Sequence, residues 1–253
     1  MHSPTLSDSK TQVYLDIEGD PYSDSYYLIG TLIVSEDHEV FHSFWADHTA
    51  EEPETFLQFL EAMGQLDDFR VLHFGDYEII ALKRMKSKLP ERLHPSVDAI
   101  LERATNVLSI IHPHIYFPTY SNSLKDIGRF LGFHRADADA TGLQSIIWRH
   151  SWNENHAEEI KTRLLQYNQD DCRELKHFTE LIVQITSPEA SATTSVPQAV
   201  FKIVPTGELA TARPRWELFR AREYGSADLE KVAKCAYFDY QRDKVYRSHT
   251  SPD

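Results

Sequence analysis

The sequence predicts an α/β fold: a mixed sheet, three antiparallel strands followed by parallel ones, flanked by helices. Three observations predict it. Three apolar runs rich in β-branched and aromatic residues come first, separated by short polar turns. A helix, a short buried strand and a second helix follow, and from residue 97 the pattern is mostly helical.

The first runs are 12–17 (QVYLDI), 26–34 (YYLIGTLIV) and about 39–45 (EVFHSFW). A helix is expected over about 52–65, with Pro53 near its start, where a missing N–H costs nothing. RVLHF (70–74) reads as a buried strand that turns at Gly75 into a helix, with Tyr77, Ile80, Ala81 and Met85 as its apolar face. SLKDIGRFLGF (123–133) reads as a helix closing at Gly132. Asn153 or Asn155 is the expected cap of a long last helix, about 156–185. Residues 11–185 thus form one domain. The Ser-, Thr-, Ala- and Pro-rich stretch 186–199 reads as a linker, and 200–253 as a small C-terminal appendage with one helix.

The net charge of −13 argues against binding nucleic acid through a broad basic patch. It leaves room for an enzyme with an acidic, metal-filled site. Residues 201–253 carry ten Lys/Arg against eight Asp/Glu, net +2, which leaves −15 for residues 1–200. The basic appendage is therefore the expected contact for phosphate or for a protein partner. Cys172 and Cys235 lie far apart and make neither a disulfide framework nor a CxxC site. No apolar run reaches the roughly 20 residues of a membrane span, so the expectation is a cytoplasmic protein without a membrane partner.

The carboxylates carry the chemistry. In VYLDIEGD, strand alternation puts Val13, Leu15 and Ile17 on one face, and Tyr14, Asp16 and Glu18 on the other. Paired anions repel, so they need a cation or a raised pKa; the bland alternative is a solvated strand end. In the last helix, Tyr167 and Asp171 fall on the apolar stripe of Ile160, Leu164, Leu175, Phe178, Ile182 and Ile185. A carboxylate aimed at a core needs a partner, either a metal or an arginine. Asp170 is off the stripe and reads as solvated. In HFGDYE (73–78), Glu78 sits in the first helical turn, where the helix dipole alone would favour it, and Asp76 is an alternative. His112 and His114 form an HPH pair that only faintly resembles a metal site.

With these pieces in place, the sequence resembles the DEDD exonuclease superfamily, which has the RNase H-like fold. LDIEG (15–19) is similar to its first motif. YNQDD (167–171) is similar to the YxxxD motif of the tyrosine subclass. FGDYE (74–78) stands where proofreading domains have N-x-x-[FY]-D, with Glu for the final Asp. Together with FPTYSNSLKDIGRFLGF, the set looks closest to the RNase H-like domain of predicted bacterial RecB-associated nucleases, over about 11–185.

The resemblance implies a 3′–5′ exonuclease on single-stranded DNA or RNA with two ions, Mg²⁺ or Mn²⁺. By carry-over, Asp16 bridges both ions, Glu18 and Asp171 hold the first, Glu78 reaches the second, and Tyr167 orients the attacking water. Lys125 and Arg129 are candidates for substrate phosphate, against the plainer reading of a solvated helix face. Two alternatives remain: a structure-selective endonuclease or mobile-element component, and an inactive nucleic-acid-binding or interaction module.

Overall fold

A computed structural model describes residues 9–186 apart from 37, 113 and 139. The chain divides into two units, Met1–Lys202 and Ile203–Asp253, and the fold below belongs to the first. The linker and basic appendage expected over 186–253 lie outside the described residues, residue 186 apart.

Strands β1 (Thr11–Asp20), β2 (Ser25–Val34) and β3 (Glu39–Trp45) pair antiparallel in sequence order. Strand β4 (Phe69–His73) joins the free edge of β1 in parallel, and β5 (Ala104–Asn106) extends the sheet in parallel again. The order is β3-β2-β1-β4-β5, so β1 is central. The three-then-parallel arrangement matches the sequence expectation. At three residues, β5 is too short to show a period of two.

Helix α1 (Glu52–Met63) connects β3 to β4; α2 (Tyr77–Lys88) and α3 (His94–Glu102) connect β4 to β5. Then come α4 (Val107–Ile111), α5 (Leu124–Phe130), α6 (Gly142–Asn155) and the long α7 (Glu158–Thr186). Among the described residues, buried apolar clusters cover both faces of the sheet. Val13, Leu15 and Ile17 pack with Phe56 and Phe59 of α1 and with Leu82 and Met85 of α2. Tyr14, Leu32 and Leu72 pack with Leu175, Phe178 and Ile182 of α7. Each such side chain contributes about 1.5–3 kcal/mol when fully buried.

Two local expectations change. The inward stripe of α2 is Glu78, Ala81, Leu82 and Met85, while Tyr77 and Ile80 are exposed. The apolar pattern misled because a buried carboxylate holds one position of the stripe. Asn153 lies inside α6 and Asn155 ends it, so neither caps α7. The left-handed His156 (φ 50°) breaks the chain there, and Asn155 Oδ1 accepts the Ala157 N–H at 3.3 Å.

Candidate active site

Asp16 and Glu18 leave β1 on the α7 side, near a register irregularity at Glu18/Gly19. Helix α7 crosses that face closely enough for Asn168 to donate to both Asp16 O (3.2 Å) and Asp16 Oδ2 (2.6 Å). The approach requires Gly30 on β2, since a Cβ there would overlap the Asn168 amide. One turn on, Asp171 faces the same spot. Single oxygens of Asp16, Glu18 and Asp171 all lie within 4.8 Å of one another. Residues distant in sequence therefore meet at one point.

A pocket of about 410 Å³ opens over them, walled also by Glu78, Tyr167 and Lys125. Glu78 is buried, and its Oε2 has no hydrogen-bond partner; His73 Nδ1, which donates to Gly75 O at 2.8 Å, stands 3.7 Å away. Asp76 is exposed and accepts from Asn106 Nδ2, so of the two acidic candidates in this turn Glu78 is the one on the pocket wall. The Lys125 ammonium donates to the Tyr167 hydroxyl and lies 4.0 Å from its ring centroid. Arg129 is exposed, reaches Ala138 O at 3.3 Å, and is not part of the pocket wall. His112 and His114 are exposed, and among the described residues they join no metal-ligating group.

Electrostatics mark the cluster as short of cations. Burial first, then Asp171, Glu18 and Glu78, holds the Asp16 carboxyl well above its ordinary value. Burial, reinforced by Asp171 against the Ser145 Oγ–H bond, pushes Glu18 up to about 8. Burial raises the Tyr167 hydroxyl and lowers the Lys125 ammonium.

Asp171 has an arginine after all. Arg135, in the loop between α5 and α6, donates to Asp171 Oδ1 at 2.8 Å, and also to Glu174 and to Tyr167 O. The structural alternative for Asp171 is thus partly realised, but it does not settle the charge. Among the described residues, five carboxylates (Asp16, Glu18, Glu78, Asp171 and Glu174) face two cationic side chains, Arg135 and Lys125. The converging oxygen donors, the orphaned Glu78 Oε2 and the raised carboxyl pKa values all suit a hard divalent cation.

A family model described as RNase_H superfamily matches residues 13–183, from β1 to α7. The chain belongs to the RNase_H superfamily. Comparison with curated proteins and with solved structures gives no match. The RNase_H superfamily fold and the carboxylate triad together point to nuclease-type chemistry with divalent metal. Among the described residues no helix is long and apolar enough to cross a membrane.

Several residues of this site carried no decisive sequence signal. Asp170, read as solvated, is buried and accepts from Ala136 N (2.8 Å) and Gln166 Nε2 (2.9 Å). Glu174 is buried beside Gly128, whose missing Cβ makes room for it, and is pushed up to about 7 by burial against the pull of Arg135. Its spacing of three from Asp171 was a readable clue. Asn168, within YNQDD, and Ser145 had none beyond proximity in the fold, and Arg135 comes from an irregular loop.

Proposed function

We propose that this protein is a divalent-metal-dependent 3′–5′ exonuclease that hydrolyses phosphodiester bonds of single-stranded DNA or RNA. The observation that carries this reading is the convergence of Asp16, Glu18 and Asp171 on one point in an RNase_H superfamily fold. Mg²⁺ or Mn²⁺ ions would be held by Asp16, Glu18 and Asp171, with Glu78, on the same pocket wall, reaching a second position. When bound, the ions supply an acidified water and positive charge for the leaving oxygen.

The chain's own groups do the rest. The Tyr167 hydroxyl, fixed by Lys125, orients the attacking water. Among the described residues, Lys125 offers the only ammonium or guanidinium on the pocket wall, the natural contact there for a phosphate oxygen. Asn168 holds Asp16 at both its backbone and side-chain oxygens, and Ser145 holds Glu18.

A 5′-labelled single-stranded oligonucleotide with Mn²⁺ or Mg²⁺ tests the reading. The expected product is a ladder shortening from the 3′ end. Asp16→Asn and Asp171→Asn should each remove more activity than the roughly 10–100-fold lost with an outer partner of a ligand. Cleavage of a circular single strand would assign an endonuclease instead. Variants as active as the wild type would end the proposal.

The Arg135–Asp171 ion pair favours one second reading, an inactive RNase_H-like binding module in which Asp171 is structural. Calorimetric titration with Mn²⁺ separates the two, since a module without a metal site gives no binding heat.

A further inference from the structure

A second cavity, of about 390 Å³, lies against Tyr167 and is walled also by Trp148, Arg163, Asp170, Arg135 and Asp137. Tyr167 is thus a wall shared with the acidic pocket. The size falls within the roughly 300–1,000 Å³ of small-molecule sites.

Resting on the nuclease reading above, we propose that this cavity takes a nucleobase of the bound strand, next to the phosphate held at the carboxylates. Three features select a base. Two guanidiniums stand against two carboxylates, so the lining offers no excess of positive charge for a phosphate. Arg135 is further compensated by Asp171 and Glu174. A neutral ligand that both donates and accepts hydrogen bonds suits that balance, as base edges do.

The lining also has unmet bonding capacity. The Arg135 side chain is 6% exposed, yet its Nε has no hydrogen-bond partner. A buried donor without an acceptor costs free energy, and this one belongs to a residue of the cavity wall. Arg163 is exposed and forms no ion pair among the described residues, so its planar guanidinium remains available to stack on a ring. The Trp148 indole, edge-on to Tyr167 at 6.3 Å between centroids, adds an aromatic wall. By contrast, Asp170 already accepts one bond on each oxygen and serves to hold the loop.

The test is fluorescence anisotropy with a hydrolysis-resistant phosphorothioate pentanucleotide, compared with versions lacking one base at each position in turn. With wild type and Mn²⁺, removal of the base at a single position should weaken binding about tenfold, the scale of one stacked base. Arg163→Gln, an exposed change, and Ala136→Trp, which fills the cavity mouth, should each bring that ratio below about twofold. Their melting temperatures serve as the folding control. If abasic and intact strands bind the wild type alike, or if both variants keep the preference, the base site is wrong and the nuclease reading stands. If no strand binds at all, both fall together.

Discussion

Asp171 is asked to do two things at once. It offers one oxygen to the Asp16–Glu18 point while Arg135 takes Oδ1. A guanidinium shared with Glu174 fixes the side chain without cancelling the local excess of negative charge. Lys125 sits differently: it packs on Tyr167 and has no carboxylate within 4 Å among the described residues, although it faces four across the pocket. Its charge repels a divalent ion and attracts a phosphodiester. Lys125→Gln should therefore raise Mn²⁺ affinity by calorimetry and lower oligonucleotide affinity by anisotropy. Each change should be roughly 3- to 10-fold, the scale of a partly screened charge pair. A lysine that merely packs would lower both, so the opposite signs decide its role.

At the scale of elements, the site depends on how closely α7 approaches β1 and β2. Gly30→Ala would drive a methyl group into the Asn168 amide, the group that holds Asp16. Overpacking at this crossing should cost about 2 kcal/mol, or roughly 4–8 °C of melting temperature. Manganese affinity should fall with it, because Asp16 and Asp171 would move apart; a loss of stability with unchanged Mn²⁺ binding would show that the crossing does not position the ligands. The same elements explain what the sequence made legible. β1 alternates cleanly, so the common face of Tyr14, Asp16 and Glu18 could be read from period alone. α7 could be read only along one stripe. Over Asn168–Glu174 it is buried on further faces, because α5, α6 and the intervening loop wrap it. A single apolar stripe marks one buried face and not a second, so Asp170 was hidden and Glu174 showed only through its spacing of three from Asp171. The Arg135 contact pairs a loop residue with a helix more than thirty positions away, and no local pattern encodes such a pairing.

For the whole molecule, the cluster couples stability to protons and metal. A carboxyl whose pKa is higher folded than unfolded binds more protons in the folded state. Its contribution to stability is complete below the unfolded value and is lost as pH rises through the folded value. Glu18 moves from 4.5 up to about 8, and Glu174 from 4.5 up to about 7, so both destabilise the metal-free fold as pH climbs through that window. Asp16 acts with the same sign. In EDTA the melting temperature should therefore be highest near the acid end of pH 5–8.5 and fall toward the alkaline end. Saturating Mn²⁺ should flatten or reverse that slope, because the ion replaces the protons and binds the folded state alone. Glu18→Gln tests this source directly, because it removes one of the titrating carboxyls. The variant should show a shallower EDTA slope and a smaller Mn²⁺ shift by scanning calorimetry at pH 8. An EDTA slope as steep as the wild type's would show that the Glu18 carboxyl does not set the pH dependence.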